Sequence, residues 1–248
     1  MKKSVLIIGA SSDIAIEVSK IFIKKDYYLY LLTRNTEIIS KISDFNNTNS
    51  KIIYFDPNNI NELKNLINTL NPSPEKILIA NGYMKNQTSN NDFDENLFKK
   101  ININFLNNVF IIKKFIDFYL SKNIKANISV FTSVAGIRGR AKNFIYGSSK
   151  SAMITYLSGM RQKYYLNNIN FTTIILGFVN TKMLKNEIGV NKYLISDTSV
   201  VAKKIVNAIE KNKEIYFPLK WRIIMFLINL IPEKIFKKLK FWWKKKYF

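Results

Sequence analysis

The sequence predicts a doubly wound α/β fold, in which a parallel sheet of about seven strands carries helices on both faces. Short apolar runs recur along the chain, as is typical of parallel strands that are buried on both sides. Segments with helical periodicity separate these runs. With 248 residues, of which 47% are hydrophobic, the chain can bury a large core.

The predicted strands follow one another at regular intervals. They comprise residues 4–9, 27–33, 52–55, 76–80, 128–132 and 171–176, with a short seventh strand at residues 214–217. The predicted helices comprise residues 13–25, 62–70, 95–119, 145–166 and 198–211. Because helices separate most of the strands, the strands are expected to run parallel. We expect residues 1–218 to form this single domain.

Residues 219–248 differ in character and are expected to form a C-terminal extension. They carry nine Lys or Arg and one acidic residue, Glu233. Residues 221–231 are largely apolar, and beyond Pro232 the apolar side chains recur at helical spacing between lysines. These side chains are Ile235, Phe236, Leu239, Trp242 and Trp243. A basic amphipathic helix of this kind predicts binding to an anionic membrane surface. The alternative is a helix that packs on the domain or forms an oligomer interface.

The composition restricts the possible chemistry and partners. The chain has no Cys and no His, which excludes disulfides and argues against a catalytic metal site. Proton transfer must then use Tyr, Lys, Asp or Glu. The net charge of +22 indicates an anionic partner, although enrichment in Lys throughout the chain explains it equally well. No nucleic-acid-binding motif accompanies the charge, so nucleic acid is not expected.

The sequence also bears on location. Residues 1–3 lead straight into a strand-like segment, and no secretion signal is visible. No apolar run reaches the ~20 residues that a membrane-spanning helix needs. We therefore expect a cytoplasmic location.

A turn after the first predicted strand is the first candidate binding site. A tight turn between a strand and a helix can present backbone N–H groups and the helix N-terminus to a pyrophosphate. The candidate cofactor residues of this turn are Gly9, Ser11, Ser12, Asp13 and Ile14. Asp13 and Ala15 stand where a dinucleotide-binding fingerprint has further glycines, so an ordinary strand-to-helix turn remains an alternative.

The ends of the next strands add candidates for the same cofactor. Arg34 follows the second strand, where an NAD site would have an acidic residue for the ribose. An Arg at this position can meet a 2′-phosphate, which favours NADP(H) over NAD(H); the alternative is a solvated surface Arg. Asp56 follows the third strand, and Asn81 and Gly82 follow the fourth. Ligands of doubly wound sheets bind at these carboxyl ends.

Tyr146 and Lys150 are the candidate proton-transfer pair. Their spacing of four residues places both on one face of a predicted helix, where a Lys ammonium would lower the pKa of a phenol. Tyr-x-x-x-Lys is common in a Lys-rich chain, and Tyr216 and Lys220 form a second pair. Ser133 distinguishes the first pair, because it lies thirteen residues before Tyr146 at the end of a predicted strand. The residue thirteen positions before Tyr216 is a lysine.

In their order and spacing, these pieces resemble the short-chain dehydrogenase/reductase superfamily over residues 3–217. The resemblance is carried by the Gly9 turn, Asp56, Ala80-Asn81-Gly82, Asn104, Ser133, the pair Tyr146 and Lys150, and Gly177-Phe178-Val179-Asn180-Thr181. It implies a Rossmann-type sheet and an NAD(P)-dependent oxidoreductase that reduces a keto group to an alcohol. Leu176 departs from the superfamily pattern, which usually has a Pro there.

The resemblance also implies a role for each matching residue. Tyr146 would donate the proton, Lys150 would lower its pKa and hold the nicotinamide ribose, and Ser133 would orient the substrate carbonyl. Asn104 would support a water-linked proton relay. The nicotinamide end would be bound by Gly177, Val179 and Thr181.

Residues 133–140, 143–150, 218–222 and 231–239 resemble one branch of the superfamily, the decaprenylphosphoryl-erythro-pentofuranosid-2-ulose 2-reductases. This implies a lipid- or nucleotide-linked keto sugar in cell-envelope glycan synthesis, a partner flavin oxidase, a homo-oligomer, and a place at the inner face of the cytoplasmic membrane. Arg138 and Arg140 are expected to meet the substrate phosphate; a solvated loop is the alternative. A general carbonyl or 3-oxoacyl reductase and a non-catalytic cofactor-sensing membrane adaptor are the other hypotheses.

Overall fold

The computed structural model describes residues 2–45, 49–59, 61–84, 95–185 and 191–239. Its strands are β1 Ser4–Ile8, β2 Tyr28–Thr33, β3 Ser50–Tyr54, β4 Lys76–Ile79, β5 Ala126–Ser133, β6 Ile169–Leu176, β7 Phe178–Val179, β8 Ile195–Ser196 and β9 Ile215–Tyr216. Seven of them form a parallel sheet in the order β3-β2-β1-β4-β5-β6-β9, and β7 pairs with β8. This confirms the predicted doubly wound fold.

Helices cover both faces of the sheet. They are α1 Asp13–Lys24, α2 Thr36–Ser40, α3 Asn61–Asn68, α4 Glu95–Ile101, α5 Asn107–Lys122, α6 Phe144–Lys163, α7 Lys182–Lys185, α8 Thr198–Glu210, α9 Leu219–Leu230 and α10 Glu233–Phe236. Successive residues of β1 point to opposite faces, so Leu6 enters one hydrophobic core and Ile7 the other. Helices α3, α5 and α6 supply the first core, and α1 and α8 supply the second.

The strand order reverses between β1 and β4. From β1 the sheet extends through β2 to β3 on one side and through β4 to β9 on the other. The Ala80 amide donates a 2.8 Å hydrogen bond to the Ile8 carbonyl, which brings the ends of β1 and β4 together. A doubly wound sheet binds its ligand at this switch point, because the loops that leave the two strands diverge there.

The helix expected over residues 95–119 is interrupted. A π-helical turn, Asn102–Leu106, separates α4 from α5. Helix α2, strands β7 and β8, and helix α7 have no counterpart among the predicted elements. Each spans only two to five residues, which is too short for a hydrophobic period to be recognised.

The C-terminal extension is helical where the structure describes it. Trp221 and Met225 on α9 are buried against Val134 and Ile175 of the sheet domain. In the described ranges, every helix is too short or too polar to cross a membrane. Trp242 and Trp243, which belong to the predicted amphipathic segment, lie outside the described residues.

Candidate active site

A cleft of about 170 Å³ lies at the switch point of the sheet. Among its lining residues are seven of the predicted cofactor residues, namely Gly9, Ser11, Ser12, Arg34, Asp56, Asn81 and Gly82. They come from the ends of four strands that are far apart in the sequence. The parallel topology brings them together, because all four strands end at the same edge of the sheet.

Gly9 shapes the floor of this cleft. Its φ of +77° lies in the left-handed region, which strains any residue with a side chain. A Cβ at this position would lie 2.8 Å from Asn81 Oδ1 and 3.1 Å from the Ala80 carbonyl carbon. Ser12 Oγ accepts a hydrogen bond from the Ala15 amide and caps α1. The turn therefore leaves open the space beside the α1 N-terminus that a pyrophosphate requires.

Asp13 and Ile14 do not line this cleft. The Asp13 carboxylate accepts a 2.6 Å hydrogen bond from the Lys182 amide at the start of α7. Ile14 lines the neighbouring, larger cavity. Asp13 therefore joins the turn after β1 to the segment after β6, and its charge is directed towards a helix N-terminus, where a carboxylate is favourable.

The far end of the cleft carries the features expected of a nucleotide site. Arg34 is exposed at the end of β2. Thr33 donates a 2.9 Å hydrogen bond to Ser11 and so fixes the turn against β2. Asp56 Oδ1 accepts hydrogen bonds from the backbone and side-chain nitrogens of Asn58 at 3.0 and 3.1 Å. Its second carboxylate oxygen makes no such bond to Asn58.

Lys150 and Tyr146 lie close together on α6. The Lys150 Nζ is 5.8 Å from the centre of the Tyr146 ring and donates a 3.0 Å hydrogen bond to the Phe131 carbonyl. Lys150 is 2% exposed, and burial lowers its pKa from the ordinary 10.5 to about 8. With this pKa the side chain is mainly an ammonium at pH 7. The buried ammonium therefore favours ionisation of a nearby phenol.

Ser133 ends β5, on the wall of the same cavity as Tyr146. Its Oγ accepts a 3.1 Å hydrogen bond from the Ala135 amide, which holds the hydroxyl in place. Gly147 allows α6 to approach this loop, since a Cβ there would lie 2.7 Å from the Ala135 carbonyl oxygen. The structure therefore brings together Ser133, Tyr146 and Lys150, as the sequence predicted.

Asn104 lies in the π-helical turn and is fully buried. Its side chain accepts a hydrogen bond from the Tyr83 amide at 3.0 Å and donates one to the Tyr83 carbonyl at 2.8 Å. Asn108 Nδ2 donates to the Ile103 and Asn104 carbonyls, both at 3.2 Å, and its Oδ1 accepts from Asn81. The π-turn is thus tied to the end of β4. Such turns often mark functional sites.

Asn108 ties this turn to Asn81, and Gly82 lies between the turn and Lys150. Asn108 was not among the residues predicted from the sequence, although a second Asn four residues after Asn104 is unusual for a buried helix face. A Cβ on Gly82 would lie 3.7 Å from Asn104 Oδ1 and 3.9 Å from Lys150 Nζ. Gly82 therefore separates the two polar groups and also lines the cofactor cleft.

A second cavity, of about 490 Å³, opens beside Ser133 and Tyr146. The predicted nicotinamide-binding residues Gly177, Val179 and Thr181 line it. Its outer wall comes from the C-terminal extension, through Trp221, Met225, Ile228, Phe236, Lys237 and Leu239. None of these six residues was predicted from the sequence to line the site, because their approach to it depends on long-range packing.

Trp221 anchors this wall. Its ring packs edge-on against Phe178, with centroids 5.1 Å apart and planes at 89°. A Cβ on Gly177 would lie 1.8 Å from Trp221 Nε1, so only glycine leaves room for the indole. The predicted nicotinamide-binding segment after β6 is therefore also the surface against which the C-terminal extension packs.

The two predicted phosphate-binding arginines both line this cavity, but Arg138 has other partners. Its Nη1 lies 3.0–3.2 Å from the carbonyl oxygens of Ile228, Asn229 and Ile231, and its Nη2 lies 2.8 Å from Glu233. Its guanidinium also lies 4.1 Å over the ring of Phe236. The geometry favours attachment of the extension over direct phosphate binding for Arg138. Arg140 lines the cavity two residues further on.

The sequence profile of the family described as short chain dehydrogenase matches residues 3–189. The chain belongs to this family. The profile ends before α8, so the extension lies outside the matched region. The match establishes the family that the sequence resembles, and it does not distinguish the branch within it.

Similar proteins include two oxidoreductases of Mycobacterium tuberculosis, both named as uncharacterized. Each is 25% identical, over 120 and 117 residues, and each match covers 46% of this chain and 46% of the relative. The match thus spans under half the length of these two relatives. Carbonyl reductase family member 4 of Xenopus laevis is 21% identical over 213 residues, which cover 78% of this chain and 84% of that protein.

Two solved structures share the fold with a TM-score of 0.77. The structure of ElxO with NADP bound is 21% identical and covers 86% of this chain and 94% of that chain. A short-chain dehydrogenase from Sphingobium yanoikuyae in complex with NADPH is 15% identical, with coverages of 93% and 97%. At these identities the likeness establishes the short-chain dehydrogenase fold alone.

Proposed function

We propose that the protein is an NADPH-dependent oxidoreductase that reduces a keto group to an alcohol. The observation that carries this proposal is that Ser133 and Tyr146 line the same cavity while the buried Lys150 lies between the Tyr146 ring and Gly82 of the neighbouring cleft. One cavity has the lining expected of a dinucleotide site, and the other has room for a substrate. Membership of the short-chain dehydrogenase family supports the same reaction class.

The cofactor cleft suits the adenosine and pyrophosphate end of a nicotinamide dinucleotide, and the nicotinamide end would reach the larger cavity, which Gly177, Val179 and Thr181 line. Gly9 leaves space beside the α1 N-terminus for the pyrophosphate, and Asp56, which lines the same cleft, would make a polar contact to the base. Arg34 lines the cleft after β2, where its charge would bind a 2′-phosphate. The bound NADP and NADPH of the two solved structures agree with NADP(H) in preference to NAD(H). When bound, NADPH would supply the hydride.

The chain's own residues would supply the proton. Tyr146 would donate its phenolic proton to the carbonyl oxygen as that oxygen gains charge, and Ser133 would donate a hydrogen bond to the same oxygen. The Lys150 ammonium would stabilise the phenolate that Tyr146 becomes. Asn104, fixed through Tyr83, would support the return of a proton to this site by way of water.

The mechanism is tested by Tyr146→Phe, with NADPH oxidation followed spectroscopically on a panel of ketones. We expect the rate constant of turnover to fall by at least about 100-fold, because proton donation typically contributes 10²–10⁴. Tyr156→Phe is the matched control, since Tyr156 lies on the same helix, away from the cavity lining, and should keep the rate. An unchanged rate in Tyr146→Phe, with the fold intact, would exclude the mechanism.

For the substrate, we propose a lipid- or nucleotide-linked keto sugar of cell-envelope synthesis. The large cavity combines an apolar wall with basic side chains at Arg140 and Lys142, which suits an anionic conjugate. A flavin oxidase partner and a homo-oligomer are further predictions of the same resemblance. The second candidate is a general carbonyl or 3-oxoacyl reductase, which the name of the Xenopus relative favours.

We also propose that the extension, residues 219–248, attaches the protein to an anionic membrane surface at the inner face of the cytoplasmic membrane. Helix α9 buries one side against the domain and exposes a set of large apolar residues on the other. They are Leu219, Ile223, Phe226, Leu227 and Leu230, which are 52–70% exposed. Basic residues flank them, which is typical of helices that lie in the membrane interface.

Flotation with phosphatidylglycerol and phosphatidylcholine vesicles tests this proposal. The double variant Phe226→Ser/Leu230→Ser should lose binding to the anionic vesicles. Leu166→Ser is the control, because Leu166 is 87% exposed on another part of the surface. Equal flotation of the double variant and the wild type would reject membrane attachment through α9.

A further inference from the structure

Three asparagines near one helical turn hold the loops that border the cofactor cleft. The π-helical turn Asn102–Leu106 closes at Asn107, whose backbone N–H donates to the Asn102 carbonyl. Asn104, Asn107 and Asn108 are buried here, and the side chain of each makes a hydrogen bond to a residue that follows β3 or β4. The start of α5 is therefore attached to the cleft through side-chain amides.

Asn107 begins a chain of hydrogen bonds that ends at Asp56. Its Nδ2 donates a 3.0 Å hydrogen bond to Asn58 Oδ1, and its side chain is 8% exposed. Asn58 donates in turn to Asp56 Oδ1, from its side-chain Nδ2 at 3.1 Å and from its backbone N–H at 3.0 Å. Asp56 and Asn58 both line the cofactor cleft. The network therefore runs from the buried start of a helix to the wall of the cleft.

The direction of these hydrogen bonds determines which atoms remain for a ligand. An Asn side chain carries an acceptor oxygen on one side and a donor NH₂ on the other. Because Asn107 donates to Asn58 Oδ1, the Asn58 amide turns its NH₂ towards Asp56. Both donors of Asn58 then meet the same carboxylate oxygen. Among the residues that the structure describes, Asp56 Oδ2 has no hydrogen-bond partner, so it remains available as an acceptor.

We propose that Asn58 and Asn107 are positioning residues that direct the second oxygen of Asp56 to the base of the cofactor, and that the cleft thereby selects a base with a 6-amino group over one with a 6-oxo group. A carboxylate accepts hydrogen bonds and donates none. It therefore pairs with the amino group of adenine and not with the oxo group of hypoxanthine. The proposal deepens the proposed function and rests on it for the identity of the dinucleotide.

The hypoxanthine analogue of NADPH, in which a 6-oxo group replaces the 6-amino group of the base, is the probe. Fluorescence titrations of the full chain with NADPH and with this analogue give both dissociation constants without turnover. We expect the wild type to bind NADPH about tenfold or more tighter, as is typical of a hydrogen bond to a charged group. Equal affinities of the wild type for the two dinucleotides would overturn the proposal.

Asn107→Ala and Asn58→Ala test the positioning role. Each should lower the preference for NADPH by about threefold or more, because the Asp56 carboxylate loses the side-chain amide that holds it. A general loosening of the loop would weaken both dinucleotides by the same factor and leave the preference unchanged. Asn58 is exposed, so its replacement leaves the core intact even if Asn107→Ala impairs folding. An unchanged preference in Asn58→Ala would refute the positioning role.

Asn102→Ala is the matched control. Asn102 belongs to the same π-helical turn, but it is exposed and is not among the residues that line the cleft. This variant keeps the backbone carbonyl that closes the turn at Asn107. It should retain the preference of the wild type for NADPH. A loss in Asn102→Ala equal to that in Asn107→Ala would show that the turn, and not the Asn107 amide, sets the preference.

Asp56→Asn gives a reversal that a structural defect cannot produce. The two donors of Asn58 should hold the new amide by its oxygen, which turns the NH₂ towards the base. The preference should therefore reverse, with the hypoxanthine analogue bound about threefold or more tighter than NADPH. Addition of Asn107→Ala to Asp56→Asn frees the Asn58 amide and should bring the two affinities within about twofold. Retention of the preference for NADPH in Asp56→Asn would contradict the proposal.

Failure of this proposal can be distinguished from failure of the proposed function. If the titrations show these preferences and no ketone is reduced, the proposed function fails and the positioning role stands. If ketones are reduced with NADPH and the wild type binds both dinucleotides equally, the reductase stands and the positioning role fails.

Discussion

Replacement of Lys150 by Met should make the protein more stable and less active. The side chain is 2% exposed, and burial lowers its pKa from 10.5 to about 8. Since each pKa unit corresponds to about 1.4 kcal/mol, keeping the charge costs the folded state roughly 3 kcal/mol at pH 7. Met retains the apolar stem and removes the charge. Loss of the hydrogen bond to Phe131 offsets about 1 kcal/mol, so we expect a net gain of roughly 2 kcal/mol.

The pH dependence of this gain follows from the same shift. The folded protein releases the Lys150 proton near pH 8, whereas the unfolded chain retains it to about pH 10.5. The unfolded state binds more protons in this interval, so the stability of the wild type rises with pH relative to the variant. The advantage of Lys150→Met should therefore be full below pH 8 and should disappear by about pH 10.5.

Urea unfolding of both proteins at several pH values measures this difference. Lys163→Met is the control, because Lys163 lies at the exposed end of the same helix and should change stability by less than about 0.5 kcal/mol at any pH. The reasoning would be refuted if Lys150→Met were less stable than the wild type at pH 7, or if the stability difference between the two proteins did not change with pH. Either result would show that the buried ammonium does not destabilise the folded protein.

Three further predictions concern close contacts in the two cavities. Gly9→Ala should lower the free energy of unfolding by about 1–3 kcal/mol through strain and the clash with Asn81, as measured by urea unfolding, and should weaken NADPH binding. Arg34→Ala should weaken NADPH by about 10-fold or more and NADH much less, since it removes a charged phosphate contact; equal losses in fluorescence titrations would exclude Arg34. Gly177→Ala should displace Trp221 and cost about 1–3 kcal/mol, with a shift in tryptophan emission; unchanged emission and stability would contradict the packing.

The centre of the sheet was predictable from the sequence because its central strands are buried on both faces. Residues 5–8 form a continuous apolar run, and such runs identify central parallel strands without reference to contacts. The interruption of the helix after residue 101 was not predictable in this way. The turn is stabilised by Asn108, which donates to the Ile103 and Asn104 carbonyls. A periodicity argument counts Asn as a polar residue on the surface, whereas Asn108 is fully buried.

The candidate catalytic residues could be proposed from spacing, because Ser133 ends a strand and Tyr146 and Lys150 share a helix face. Contacts between distant segments could not. Asp13 meets the Lys182 amide across 169 positions, and Arg138 meets the Ile231 carbonyl across 93. Both residues were expected to bind a ligand, because the sequence alone does not reveal which protein groups a charged residue beside a binding motif will contact. The structure supplies those partners.

Gly82 lies close to both cavities, since a Cβ on it would lie 3.9 Å from Met183 Cε, which lines the larger cavity. It lines the cofactor cleft, and a Cβ there would lie 3.9 Å from Lys150 Nζ. Lys150 belongs to the helix whose Tyr146 lines the substrate cavity. The ammonium is therefore placed between the Tyr146 ring and the cleft in which a bound nucleotide would bring its negative charge. Such charge favours the protonated form of Lys150, so NADP(H) should raise its pKa above the value in the free protein and extend the active range to higher pH.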